Sequence, residues 1–137
     1  MHIIYVSHLC ATWALVGLIW TVQLALYPIF SSVGPGEFKE YHNRYTDQIT
    51  WVVAPLMLAE LLTGAWLVIQ GARDLWLLLS LAPLALNWLS TWLVQVPLHR
   101  QLSAGFDAHV HRRLVATNWW RTLAWTLRGF AVLMASC

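Results

Sequence analysis

The sequence predicts an all-α integral membrane protein: an up-down four-helix bundle made of two helical hairpins related by a pseudo-twofold axis. Three observations carry that expectation. Of the 137 residues, 59% are hydrophobic and only 10% charged, where a soluble domain carries about 25% charged residues. Four apolar stretches, at about 4–29, 48–69, 75–98 and 115–135, each reach the roughly 20 residues needed to cross a bilayer. A polar motif also recurs: Trp20-Thr21-Val22-Gln23-Leu24 reappears 72 residues on as Trp92-Leu93-Val94-Gln95, with His99 standing where Tyr27 stood. The four stretches use most of the chain, so residues 1–137 are expected to form a single transmembrane domain without a soluble module.

The first stretch lacks a basic leader region, and its apolar run exceeds the about 7–15 residues of a secretory signal core. It therefore reads as a retained helix from near Ile3 to Tyr27, closed by Pro28, which lacks an N–H and disfavours helix at the residue before it. Ser31 to Arg44 follow as a connection containing Gly34, Pro35 and Gly36, in which Phe38, Tyr41 and Tyr45 recur at spacings of three and four. That spacing predicts a short amphipathic helix lying at the interface. The second span begins near Gln48, carries Pro55, Glu60 and Gly64, and ends in the tight turn Gln70-Gly71-Ala72-Arg73-Asp74, which makes the second and third helices antiparallel neighbours. The third contains Pro83, Asn87 and Gln95 and ends at Pro97 to His99. A second long connection with Gly105, Asp107, His109 and His111 leads to the fourth, which starts near Val115.

The halves align beyond the glutamine motif, since Gly36 and His42-Asn43-Arg44 match Gly105 and His111-Arg112-Arg113 at an offset of 69. Two spans per half give both halves the same orientation, hence the axis along the membrane normal. Lys39, Arg44, Arg100, Arg112 and Arg113 lie in the two long connections, whereas only Arg73 lies in the opposite loop. By the positive-inside rule, connections 30–47 and 99–114 face the cytoplasm and both termini lie outside, as in a bacterial inner membrane. The net charge of +2 reflects this topology and not nucleic-acid binding. Cys10 and Cys137 make no metal-type or CxxC spacing and read as incidental thiols.

Side chains three or four positions apart share a helix face. The seams Trp13, Val16, Trp20, Gln23, Tyr27 and Ala85, Trp88, Trp92, Gln95, His99 repeat each other, while Met57, Glu60, Gly64 and Asn118, Arg121, Trp125, Arg128 supply the other two helices. At about 1.5 Å per residue, Gln23 and Gln95 lie roughly 6 Å inside one end, Arg121 roughly 9 Å, and Glu60 and Arg128 near the midplane. Bare charges there cost about 2.5–3.5 kcal/mol each, so Glu60 and Arg128 are expected to pair. Arg121 is left with spare donors beside Gln23, Gln95 and Asn118. It either lines a polar pocket open toward the cytoplasm, where it can hold an oxygen bidentately, or snorkels to headgroups. Trp20, Trp92 and Trp125 fall on the inner seams and offer flat walls to an aromatic ligand, with plain packing as the alternative.

His99 and His42 can approach one another at the pocket mouth. With Gln23, Gln95 or Glu60 they offer a ligand set for iron, copper or zinc and so for metal-assisted oxidation, but the histidine spacings fit no recognised metal motif, so a metal is an alternative and is not assigned. A b-type haem is not expected, because only His8 lies deep in a helix and it sits in the opposite half of the membrane from His99. His109 and His111 are placed in the headgroup zone, beside Arg112 and Arg113.

Val96-Pro97-Leu98-His99-Arg100-Gln101-Leu102, followed by Thr117-Asn118-Trp119-Trp120-Arg121-Thr122, resembles the anthrone-oxygenase-like family of small four-helix membrane proteins. Asn118, Arg121 and Thr122 match its second motif, whereas His99 stands where that family tends to have Asn. It is also similar to bacterial membrane proteins with Gln-x-x-x-Tyr-Pro and Asn-Trp-x-Arg-Thr signatures. The resemblance implies oxidation of a phenolic polycyclic substrate by dioxygen without a bound cofactor. His99 or His42 would then act as base, with Arg121, Asn118, Gln23 and Gln95 on the enolate oxygen, and Trp20, Trp92, Trp125 and Tyr27 around the ring. Two function classes follow: an intramembrane enzyme or binding protein for a lipophilic aromatic or quinone-like molecule, or a small transporter or assembly subunit, functioning as a homodimer, in which Glu60–Arg128 is structural.

Overall fold

The computed structural model describes residues 2–135, and among them it contains four helices and no strand: α1 (His2–Ser32), α2 (Phe38–Ile69), α3 (Leu75–Leu102) and α4 (Ala108–Met134). Cys137 lies outside the described residues, and Cys10 is a free, exposed thiol. Three helices, α1 to α3, are long and apolar enough to cross a membrane, with 31, 32 and 28 residues. The 27 residues of α4 do not join them by composition, because Arg112, Arg113, Asn118, Arg121 and Arg128 dilute its apolar residues.

Polarity is distributed inside out. Gln23, His42, Glu60, Asn87, Asn118 and Arg128 are buried, while Trp51 is 82% exposed and Leu93 71%. In water the hydrophobic effect drives the opposite arrangement, so this distribution is consistent with a membrane protein. On α4 itself the polar side chains Asn118, Arg121, Thr122 and Arg128 face inward, and Trp119, Trp120, Leu123, Leu127 and Phe130 face out.

Local chemistry sets the helix ends. Asp74 Oδ1 accepts from the backbone N–H groups of Trp76 and Leu77 at 2.9 and 3.1 Å, and Asp107 Oδ1 from His109 and Val110 at 2.7 and 3.0 Å. Each satisfies two orphan donors of a first helical turn. At the end of α2, Gly71 takes φ +88°, Gly71 N–H donates to Val68 O and Ala72 N–H to Leu67 O. This left-handed cap, which favours glycine, turns the chain toward α3.

Four expected boundaries are corrected, the first being that of α4, which starts at Ala108 and not near Val115. No separate interfacial helix exists, because Phe38 to Ile69 is continuous and nothing between Tyr45 and Gln48 breaks it. Pro28 does not close α1, nor does Pro97 close α3. Ahead of each proline the helix widens into a π turn, Val22–Leu26 and Thr91–Gln95, with Tyr27 N–H reaching Val22 O and Val96 N–H reaching Thr91 O. A proline ring crowds the carbonyl four residues earlier, and the wider turn relieves that clash. The π turns recur at an offset of 69 and not 72, so Gln23 and Gln95 occupy different positions within them.

α1 packs along α2 and α4, and α4 packs along α3. A β-carbon on Gly64 would stand 2.9 Å from His8 Cε1 and one on Gly129 3.1 Å from Val16 Cγ2, which shows how closely α1 approaches both partners. The expectation that α2 and α3 pack as neighbours holds at their ends only. Along their middle they diverge, and the space between them is a cavity.

Candidate functional site

The cavity holds about 470 Å³. Its floor is α1 and α4, through Leu15, Ile19, Val22, Arg121 and Trp125, and its two rims are Thr50, Ala54 and Leu58 on α2 and Trp88, Trp92 and Val96 on α3. Each rim follows an i, i+4, i+8 stripe, so the mouth runs parallel to the helices. The end nearest the long connections is closed by Tyr27, Tyr45 and His99, behind which Phe30, Phe38 and His42 are completely buried. The expected opening toward the cytoplasmic end is therefore corrected to a lateral one. An aromatic cluster plugs the end because Phe30 contacts the rings of Tyr27, Tyr41, His42, Tyr45 and His99.

Arg121 is the charged group of this cavity, and it does not snorkel. It is 6% exposed. Its Nη1 donates to Asn118 Oδ1 at 3.0 Å, its Nη2 to Thr91 Oγ1 at 3.1 Å, and its guanidinium carbon lies 5.0 Å from the Trp125 ring. Asn118 is itself held, donating from Nδ2 to Gln23 Oε1 at 2.8 Å, and Gln23 Nε2 donates to Val115 O at 3.3 Å. Gln23 and Asn118 thus stand behind the cavity wall as positioning residues, which corrects their expected role as walls. Both amides are consumed in fixing Arg121. Gln95 is different: its Nε2 donates to Thr117 Oγ1 at 3.1 Å, it lines the cavity, and its Oε1 is buried without a partner, as is Arg121 Nε.

The tryptophans also separate. Trp125 is buried in the wall and donates to Glu60 Oε2 at 3.3 Å. Trp92 is 62% exposed and forms rim, not wall. Trp20 is 37% exposed, outside the cavity, bonded to Thr126 Oγ1 and edge-on to Trp119, so its expected inward role is corrected.

His42 and His99 do meet. Tyr27 Oη lies 3.0 Å from His99 Nε2, His99 Nδ1 lies 3.0 Å from His42 Nε2, and His42 Nδ1 lies 3.4 Å from Ser103 Oγ. Ser103 donates its own proton to His99 O at 3.0 Å. That leaves Ser103 Oγ as an acceptor, which orders the row when both imidazoles are neutral. His42 Nδ1–H points to Ser103, His99 Nδ1–H to His42 Nε2, and Tyr27 O–H to His99 Nε2. Sequence reasoning missed Ser103, and the i, i+4 spacing of His99 to Ser103 is the signal that could have found it. Thr91 and Tyr45 were missed as well; Thr91 lies one turn ahead of Gln95, and Tyr45 one turn beyond His42.

His111 is not in a headgroup zone. It is buried, and its Nε2 donates to Tyr27 O at 2.8 Å, which pins the end of α1 to α4. His109 is exposed. Outside the helices, the Asp107 carboxyl is held below the usual aspartate range by the backbone N–H groups of Val110 and His109.

A second polar network lies in the other half of the molecule. Arg128 Nε donates to Glu60 Oε1 at 2.7 Å, both side chains fully buried. Arg128 Nη1 donates to Ser80 O and to Ser80 Oγ, and Nη2 to His8 Nε2 at 3.1 Å. His8 Nδ1 therefore carries the proton and faces Thr63 Oγ1 at 2.8 Å. Every group of Arg128 is satisfied and none faces the cavity. Among the described residues no cluster of three or more His, Cys, Asp or Glu could hold a metal ion.

Comparison of the chain with protein-family models, with curated proteins and with solved structures finds no match.

Proposed function

We propose that this protein binds a lipophilic aromatic or quinone-like small molecule between α2 and α3, in a membrane that all four helices span as an up-down bundle. The single observation that carries the reading is Arg121: a buried guanidinium without an acidic partner, at the polar end of a cavity whose other walls are apolar. Trp125, Trp88 and Tyr27 supply ring faces, and Gln95, His99 and Arg121 are polar side chains on the lining that orient a ligand. The apolar outward face of α4 supports its insertion beside the other three, and the basic residues of the two long connections support a cytoplasmic location for them. Glu60–Arg128 serves as the clasp that joins α2 to α4. The likeness to anthrone oxygenases supports an aromatic occupant.

The test is ligand quenching of indole fluorescence in lipid nanodiscs, with 1,4-naphthoquinone and 2-naphthol as probes. Saturable quenching is expected, because Trp88, Trp92 and Trp125 line the cavity. Ala54→Trp fills the mouth and should abolish saturation while helix content stays unchanged. Equal binding by the Ala54→Trp protein refutes the assignment.

A further inference from the structure

The cavity is long as well as lateral. At about 1.5 Å of rise per residue, its α2 lining from Tyr45 to Leu58 spans about 20 Å and its α3 lining from Trp88 to His99 about 16 Å. Polarity changes along that length. Thr91, Gln95 and His99 form an i, i+4, i+8 stripe on α3, and Arg121 joins the stripe at Thr91 through the 3.1 Å bond from Nη2. Beyond Arg121, toward Glu60, the lining is Leu15, Met57, Leu58, Trp88 and Trp125, and it is apolar. A bare ring held at the polar stripe leaves this part empty, and an unfilled space forfeits the dispersion contacts of its walls. The two ends also differ in access. Tyr27, Tyr45 and His99 close the polar end, whereas the rim residues Leu58 and Trp92 are exposed and continue into exposed Leu62 and Leu89 on the outer faces of α2 and α3. A ligand longer than the polar stripe therefore leaves through the flank, onto an apolar surface and parallel to the helices, the direction that lipid chains take in a bilayer.

We infer that the occupant is a tailed quinone: its ring lies along Thr91, Gln95, His99 and Arg121, and a long hydrocarbon chain on the ring runs past Trp88 and Leu58 and out of the mouth into the bilayer. This rests on the binding reading above and deepens it by naming the class of ligand. A phospholipid acyl chain fits the apolar part but brings no partner to the polar stripe. A ring without a chain does the reverse. Ring and chain together match both parts of the lining, and the chain keeps its far end in hydrocarbon throughout. Because the chain comes from hydrocarbon and not from water, it gains contact with the cavity walls and not the hydrophobic effect. The advantage of a chain-bearing ring is accordingly moderate, about tenfold in affinity.

The experiment uses the whole protein in phosphatidylcholine nanodiscs and follows indole quenching by two quinones: 2-methyl-1,4-naphthoquinone, which has no chain, and phylloquinone, the same ring with a phytyl chain. Concentrations are expressed as mole fractions of quinone in the disc lipid, so that the stronger partitioning of the chain does not count as binding. Phylloquinone should saturate at a mole fraction about tenfold lower than the chainless ring. Phytol, the chain without the ring, should displace it at least tenfold less well than phylloquinone itself. Leu58→Trp narrows the apolar end and should bring the ratio of the two quinone affinities close to one. Equal affinity of the two quinones, equal displacement by phytol, or a ratio unmoved in folded Leu58→Trp overturns this inference; saturable quenching by the chainless ring then leaves the binding reading standing. Absence of saturable quenching by both quinones overturns both. Because the quinone and phytol comparisons use the unsubstituted protein, misfolding of the variant does not blunt the test.

Discussion

Replacing Glu60 with Gln isolates the energetics of the clasp. In the native protein Glu60 Oε1 accepts from Arg128 Nε at 2.7 Å and Oε2 from Trp125 Nε1 at 3.3 Å, and neither partner reaches solvent. Glutamine preserves the shape and one acceptor, but it removes the counter-charge that Arg128 has among the described residues and turns an amide N–H₂ toward one of two donors. Breaking a buried ion pair by removing one partner costs about 3–5 kcal/mol, and the lost indole hydrogen bond about 1 kcal/mol. Because the glutamine retains one bond, the expected net loss is about 3–5 kcal/mol. Removing both charges behaves differently. In Glu60→Leu/Arg128→Met no ion is left behind, Ser80 Oγ keeps its bond to Leu77 O, and His8 Nδ1 keeps Thr63. The double replacement should therefore cost at least about 2 kcal/mol less than Glu60→Gln alone. The assay is reversible unfolding by dodecyl sulfate added to dodecyl maltoside micelles, followed by helix content. A Glu60→Gln loss below about 1 kcal/mol, or a double replacement that costs the sum of its single changes, refutes the account of the pair as an electrostatic unit.

Three further outcomes are expected. Gly64→Ala places a methyl 2.9 Å from His8 Cε1, whose ring is held by Thr63 and Arg128, so the same unfolding assay should show a loss of about 1–3 kcal/mol in spite of the better helix propensity of alanine. Gln23→Leu frees Asn118 Nδ2 and loosens Arg121 without touching the cavity wall; naphthol affinity should fall about tenfold while the protein still folds, and a change confined to stability counts against a positioning role. The third concerns pH. The Asp107 carboxyl has a lower pKa folded than unfolded, so its contribution is present above the unfolded value near about 3.9 and is lost as pH falls through the folded one. Amide exchange at His109 and Val110 should accelerate across that acid window. Asp107→Asn, which still caps the helix, should abolish the dependence.

Several of these features are legible in the sequence. A charge deep in an apolar segment must find its opposite, and Glu60 and Arg128 are the two candidates at similar depth, so their pairing follows from residue type and rise per residue. Composition marks four apolar stretches, and three of the four helices, α1 to α3, are long and apolar enough to cross a membrane. His42 and His99 fall near one another because the start of α2 and the end of α3 lie at the same end of the bundle. The faces of Trp20, Gln23 and Trp92 were not legible in the same way. A seam read at uniform helical spacing assumes a constant phase, and each π turn acts as one inserted residue, which rotates everything beyond it by about 100°. Trp20 precedes the first π turn and points outward, whereas Tyr27 follows it and points in; Trp92 lies inside the second and is exposed, whereas Gln95 closes it and is buried.

What the sequence determined by itself is therefore which residues are too polar to face hydrocarbon, roughly how deep they lie, and that a tight turn joins α2 to α3. Only the tertiary structure decided that α2 and α3 part along their middle, that Gln23 and Asn118 support Arg121 from behind, and that Tyr27, His99, His42 and Ser103 form one row. The physical reason is range. Capping, hydropathy and charge cost act within a turn or along one helix, whereas a cavity is the space left when four helices satisfy one another, and its shape depends on proline-induced π turns and glycine contacts at Gly64 and Gly129 whose effects add up across the whole interface.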